Sequence, residues 1–296
     1  MELKKYERKE QVVDTKLFAK DGLTFLVLER IVNQKARFVL TDHKRFVVCY
    51  SSPPHPVWIW TPDDITEEEK EALWQLCKKE HILPGQVWAG SEQQAPDKAE
   101  EAEPPIFGIN MKYELADYFI RRGEEEGEPL SISLRMLVYD CPTAHLPDKA
   151  AEGGFALMTE RDVEDVAEFL YQFKQDIGID LEDRKACRNR AERYKERENF
   201  FLWKDACGKN VAMCGYNVNQ GMGSVGEVYC RSEERRKGYA QNLVYQVTKT
   251  VQEKGLLPVL YSDADYQASN RCYQKIGYQQ RGELCMVGMP ADKEKS

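Results

Sequence analysis

Val163, Val166, Ala167, Leu170, Phe173 and Ile177 recur at spacings of three and four behind Thr159. That period lays one apolar stripe along a helix, with Thr159 as its N-cap. Glu182 to Arg197 is almost entirely charged and predicts a surface helix. Phe200–Trp203 and Val211–Tyr216 flank Asp205-Ala-Cys-Gly208 as the arms of a hairpin would, and Val225–Cys230 predicts a third strand. Ala240, Leu243, Val244, Val247 and Val251 stand at i, i+3, i+4, i+7 and i+11 on a helix ending near Gly255, followed by a strand at Pro258–Tyr261. The order α, α, β, β, β, α, β, α, β describes an α/β architecture with a mixed sheet.

The first half mixes both periods. Leu23–Leu28 and Arg37–Tyr50 read as strands, and Val57–Trp60 as a short aromatic strand closed by Thr61-Pro62. Thr66 and Glu69 have the spacing of a capping box ahead of Ala72, Leu73, Leu76 and Cys77. Met111, Leu115, Tyr118, Phe119 and Arg122 predict another helix. Trp58, Trp60, Trp74 and Trp88 form either a recognition surface or, as is commoner, the core of a small domain. Gly90–Pro105, acidic and closed by two prolines, predicts an exposed loop. Cys141–Gly154, with two prolines and a Gly-Gly pair, predicts the boundary between an α/β domain at 1–145 and a second domain at 152–290.

Composition narrows the function. The 296 residues carry a formal charge of −8, which leaves no large cationic footprint for nucleic acid. No apolar run approaches the ~18 residues of a membrane span, and the charged start lacks a signal-peptide core. Nine cysteines without a Cys-x-x-Cys pair, and four scattered histidines (His43, His55, His81, His145), suit neither a disulfide framework nor a metal site. The expectation is a cytoplasmic protein without a metal.

Chemistry concentrates between the third strand and the next helix, at Arg235-Arg-Lys-Gly-Tyr-Ala240. A glycine turn leading into a helix, with Arg235, Arg236 and Lys237 beside it, can cradle a diphosphate on the first-turn N–H groups; a merely solvated loop is the other reading. The wider wording, Val228-Tyr-Cys-Arg-Ser-Glu-Glu-Arg-Arg-Lys-Gly-Tyr-Ala240, resembles the Arg/Gln-x-x-Gly-x-Gly/Ala motif of the GNAT acetyltransferase superfamily. Ala268-Ser-Asn-Arg-Cys-Tyr-Gln-Lys-Ile-Gly-Tyr278 resembles that superfamily's second signature. The resemblance covers roughly Glu152 to Pro290 and implies a GNAT acyl-CoA N-acyltransferase fold there.

It further implies acetyl-CoA as cosubstrate, a small-molecule or peptide amine as acceptor, and direct transfer without a covalent enzyme intermediate. Backbone groups of Val228, Tyr229 and Cys230 would meet the pantetheine arm, and those of Arg235, Arg236, Lys237, Gly238, Tyr239 and Ala240 the diphosphate. Tyr273 matches the tyrosine that protonates the leaving thiolate, against the plain reading of a packed helix tyrosine. Glu227 lies where relatives sometimes keep a carboxylate base, against the commoner fate of a solvated strand residue. Cys230 and Cys272 admit a nucleophile reading, with inert packing the commoner one. Many members have glycine where this chain has Arg236, and asparagine where it has Tyr266; Asn270 occupies the second asparagine position, to touch the cofactor or to hold its own turn.

Val57-Trp-Ile-Trp-Thr-Pro62, a helix and Leu83-Pro-Gly-Gln-Val-Trp88 echo Val228-Tyr229, a helix and Leu257-Pro-Val-Leu-Tyr261. One reading is a tandem, degenerate GNAT-like copy in which Asp63 and Asp64 would repel a diphosphate; the other is the ordinary recurrence of strand-helix-strand. Two alternatives to the enzyme are a non-catalytic GNAT-like module for acyl-CoA binding or protein contact, and a nucleotide-binding protein.

Overall fold

The computed structural model describes residues 4–5, 15–34, 36–88, 104–176 and 183–290. The expected loop Gly90–Pro105 falls outside them up to residue 103, as do Ile177 and Glu182. The chain forms two compact units, Met1–Leu137 with Gly282–Ser296, and Val138–Arg281.

The first unit contains β1 (Lys4–Lys5), α1 (Thr15–Phe18), α2 (Leu26–Gln34), β2 (Phe38–Thr41), β3 (Val47–Tyr50), β4 (Val57–Trp60), α3 (Glu67–Lys79), β5 (Ile109–Met111), α4 (Tyr113–Glu126) and most of β6 (Ser131–Asp140). The second contains β7 (Gly154–Leu157), α5 (Val163–Asp176), α6 (Arg184–Glu196), β8 (Phe200–Lys204), β9 (Asn210–Asn219), β10 (Met222–Cys230), α7 (Tyr239–Glu253), β11 (Leu257–Asp263), α8 (Gln267–Ile276) and the start of β12 (Gln279–Gly288). Strand order is β1-β2-β3-β4-β5-β12 in the first and β6-β11-β10-β9-β8-β7 in the second. Each runs through antiparallel strands to one parallel pair, β4 with β5 and β10 with β11. Each also takes its last strand from the other half of the sequence: residues of β12 from Gly282 onward pair with β5, and the end of β6 lies beside β11.

Three elements depart from the pattern reading. The strand expected at Leu23–Leu28 is a turn leading into α2, where the buried Leu28, Ile31 and Val32, at i, i+3 and i+4, share one helical face. Leu83–Trp88 is no strand: Gln86 N donates to Leu83 O at 3.0 Å and Gly85 takes φ 86°, so Pro84-Gly85 turns the chain and β5 supplies the parallel partner of β4. Met111 belongs to β5, since Lys112 is the extended N-cap of α4. The capping box is present, with Glu69 N donating to Thr66 Oγ1 and Thr66 N to Glu69 Oε2.

In the first unit Ile59, Ile109 and Met111 pack with Leu73, Trp74 and Phe119 in one cluster. Trp58 and Trp60 meet Phe25 and Phe18 edge-on, and Trp60 Nε1 donates to Asp21 at 2.8 Å. Three of the four clustered tryptophans are core residues; Trp88 is half-buried, its ring tilted against that of Phe38 at 4.9 Å. In the second unit α5 and α6 bury Val166, Phe169, Leu170 and Cys187 with Phe200, Leu202, Met213 and Tyr229.

Asp162, buried ahead of α5, ties that helix to the β8–β9 hairpin. It accepts from Lys204 Nζ at 2.6 Å, Asn210 Nδ2 at 2.9 Å and Thr159 N at 3.0 Å. Burial alone disfavours its charge, yet these donors outweigh that and hold its pKa down to about 2 from an ordinary 3.8. A depressed carboxylate stabilises the fold fully above its unfolded pKa and loses that contribution as pH falls through the folded value. Asp162→Ala is expected to cost about 2 kcal/mol at pH 7 in urea unfolding. The gap from wild type should shrink to roughly half by pH 3; a pH-independent gap would show that packing, not charge, accounts for it.

Candidate functional site

β10 and β11 are paired at Met222, Gly223 and Ser224 against Leu257, Pro258 and Val259. Both strands run on, to Cys230 and Asp263, but the pairing does not. β10 meanwhile keeps its other neighbour, β9, as far as Cys230 opposite Ala212. Between Gly226 and Tyr229 it uses one residue more than β9, a bulge in which Glu227 takes φ 54°. The edge of β10 that faced β11 therefore offers N–H and C=O groups from Val225 onward to an extended ligand.

At the end of this edge the chain turns into α7. A short turn over Ser232–Glu234 leads to Arg235 in extended conformation, Arg236 at φ 66° and Gly238 at φ 89°. Gly238 is the N-cap of α7, without a side-chain cap and without an acidic residue in the first turn. Asn242 N donates to Gly238 O at 3.0 Å, so the amides of Tyr239, Ala240 and Gln241 precede the helical ladder. Asn242 Nδ2 fastens the turn from inside, donating to Gly238 O and to Lys149 O. The helix that follows β4 is built oppositely: the N-terminus of α3 is closed by the Thr66 box and carries Glu67, Glu68 and Glu69. Uncapped amides at the positive end of a 15-residue helix suit an anion.

Residues 206–287 match a family model described as FR47-like protein. No curated protein matches the chain. Solved structures resemble it over nearly its whole length. A GCN5-related N-acetyltransferase from Sphaerobacter thermophilus, 15% identical, covers 97% of this chain and 94% of its own with a TM-score of 0.64. A Drosophila protein, 11% identical, covers 97% and 98% with a TM-score of 0.62. A GNAT-family acetyltransferase from Colwellia psychrerythraea, also 11% identical, covers 97% and 98% with a TM-score of 0.55. The chain has the GNAT acetyltransferase fold.

The remaining residues singled out in the sequence can be located on that GNAT fold. Val228, Tyr229 and Cys230 form the last stretch of the unpaired edge. The Tyr229 ring is buried against Phe169, and its hydroxyl donates to Gln172 Oε1 at 3.1 Å, so only its backbone is free for a ligand. Tyr273 lies on α8, buried, with Tyr278 edge-on at 6.0 Å; burial raises its pKa and keeps the phenol protonated at neutral pH. Asn270 is buried and donates to Asp263 O at 2.8 Å and to Ala264 O and Tyr266 O, so its amide holds its own turn. Tyr266 stands exposed at the start of α8.

Glu227 carries two partners that the sequence pattern did not single out. Arg190 Nη2 bonds its Oε1, and Tyr194 Oη donates to the same oxygen at 3.2 Å. Tyr194 stacks on Phe200 at 4.4 Å, and burial pushes its pKa up to about 12. Only the spacing of Arg190 and Tyr194 on a helix hints at this pairing; the tertiary fold brings them to the bulge. Burial raises the thiols of Cys230 and Cys272 to about 11, which leaves both protonated and poor nucleophiles at neutral pH. Among the described residues there is no group of three metal-ligating side chains and no helix long and apolar enough to cross a membrane.

Proposed function

We propose that the protein is an N-acetyltransferase that passes the acetyl group of acetyl-CoA to a primary amine by direct attack. The parting of β10 from β11, ending at the uncapped N-terminus of α7, carries this reading. Acetyl-CoA supplies an activated thioester. The edge from Val228 to Cys230 would hold the extended arm by strand-like hydrogen bonds, and the amides from Arg235 to Ala240 the diphosphate. Gly238 fits the close approach, having the left-handed angle that other residues avoid and no side chain above the amides. Tyr273 would hold a proton at Oη for the leaving sulfur, as a donor that is not ionised at rest. Glu227 would take the proton of the amine or fix its ammonium form, with Arg190 and Tyr194 setting the direction of its carboxylate.

A thermal melt with saturating acetyl-CoA, against ATP and NAD, tests the cofactor assignment. A ligand at ~100 times its Kd adds about 2.7 kcal/mol, so the midpoint should rise by roughly 5 °C with acetyl-CoA only. No rise would remove the cosubstrate assignment. A rise without turnover across an amine panel would favour a non-catalytic acyl-CoA-binding module.

A further inference from the structure

Asn270 stands three residues before Tyr273 on α8, so the two share one flank of the helix, and Gln274 lies one turn on from Asn270. The Asn270 amide is fully committed. Its Nδ2 donates to three carbonyls of the turn ahead of α8, Asp263 O at 2.8 Å, Ala264 O at 3.3 Å and Tyr266 O at 3.3 Å. That leaves Oδ1 as a buried acceptor in need of a donor, and the Tyr139 hydroxyl donates to it at 3.4 Å. Among the described residues no other group bonds Oδ1. Tyr139 is wholly buried near the end of β6, the strand beside β11, and the Gln274 side chain faces the same hydroxyl. Further along, Cys141 Sγ lies 3.9 Å from Ile276 O, and His145 N donates to that oxygen at 2.7 Å. The chain from Tyr139 to His145 therefore holds α8 on both sides of Tyr273, at Asn270 and at Ile276.

We infer that Tyr139 is a positioning residue for acyl transfer, its hydroxyl fixing the Asn270 amide so that α8 presents Tyr273 Oη to the leaving sulfur. The inference rests on the proposed role of Tyr273 and extends it to a residue outside the 206–287 stretch that the family model matches. A proton donor must lie within hydrogen-bond reach of the atom it serves, and a displacement of about 1 Å can cost roughly a hundredfold in rate. Phenylalanine at position 139 would keep the ring and leave Oδ1 without a donor, so the amide would lose the bond that sets its orientation on the α8 side. Among the described residues the Tyr139 hydroxyl bonds neither the β10 edge nor the turn into α7, so cosubstrate affinity is the quantity it should leave alone.

The test is steady-state kinetics of the full chain and of Tyr139→Phe, Tyr273→Phe and the double variant, with acetyl-CoA and the best amine from a screen, beside CoA calorimetry and thermal melts. Tyr139→Phe should lower kcat about tenfold, keep CoA affinity within about twofold and melt roughly 5 °C lower. In the Tyr273→Phe background the same change should leave kcat unaltered, since no hydroxyl remains to be positioned. A loss that persists undiminished there would overturn the inference, because a general weakening of the fold acts whether or not Tyr273 has its hydroxyl. Wild-type kcat in Tyr139→Phe, with Tyr273→Phe impaired, would overturn it too and leave the role of Tyr273 standing. An unimpaired Tyr273→Phe would remove both. Should Tyr139→Phe not fold, Asn270→Asp takes its place: its carboxylate still accepts from Tyr139 but cannot donate to the turn, and its loss of kcat must likewise vanish without the Tyr273 hydroxyl.

Discussion

Tyr273→Phe is expected to lower the rate of acetyl transfer about a hundredfold, the lower range for loss of a positioned general acid, while acetyl-CoA affinity stays within about twofold. The ring is already buried beside Tyr278, and phenylalanine keeps its shape, so the change removes one hydroxyl and little packing. The raised phenol pKa matters to the sign: Tyr273 is protonated across the neutral range, so the wild-type rate should not fall on the acid side through its own titration. The check is paired kinetics and calorimetry, with acetyl-CoA as donor and the best amine found by screening. A variant that loses affinity along with rate would place the hydroxyl in cofactor binding rather than in leaving-group protonation.

Gly277→Ala should destabilise the protein by about 3 kcal/mol, the sum of a left-handed angle forced on alanine and a backbone collision. Gly277 ends α8 at φ 107°, and its N–H closes the last turn on Gln274 O at 3.0 Å. A Cβ there would stand 2.4 Å from Thr143 O and 3.5 Å from His145 Cγ. The Thr143–His145 strand of chain cannot simply withdraw, because His145 N donates to Ile276 O at 2.7 Å. Urea unfolding by tryptophan fluorescence reads the loss; an unchanged midpoint would mean that this segment yields freely. The same glycine explains in physical terms why the second signature ends as Lys-Ile-Gly-Tyr278: the helix must stop, and another stretch of backbone lies against the stopping point.

Local rules were readable where local physics governs. The Thr66–Glu69 box, the α7 stripe and the hairpin around Asp205–Gly208 follow from neighbours within about four residues, and the structure contains all three. Arg236 could be recognised as a departure from a glycine, but its left-handed angle became visible only in the folded turn. The Leu23–Leu28 reading failed for the reciprocal reason. Its β-rich wording was overridden when burial of Leu28 with Ile31 and Val32 favoured one helical face.

By itself, then, the chain's wording determined the run of helices and strands from α5 onward, though not β7 ahead of it, the mixed α/β class, and the glycine turn ahead of α7. These depend on period, capping and backbone angle, which are properties of short stretches. Tertiary structure alone decided where β10 leaves β11, which partners meet Glu227 at the bulge, and that β12 completes the first unit while β6 completes the second. Strand pairing and ion pairing join residues tens to hundreds of positions apart, and no local pattern records which of many equally suitable partners burial will choose.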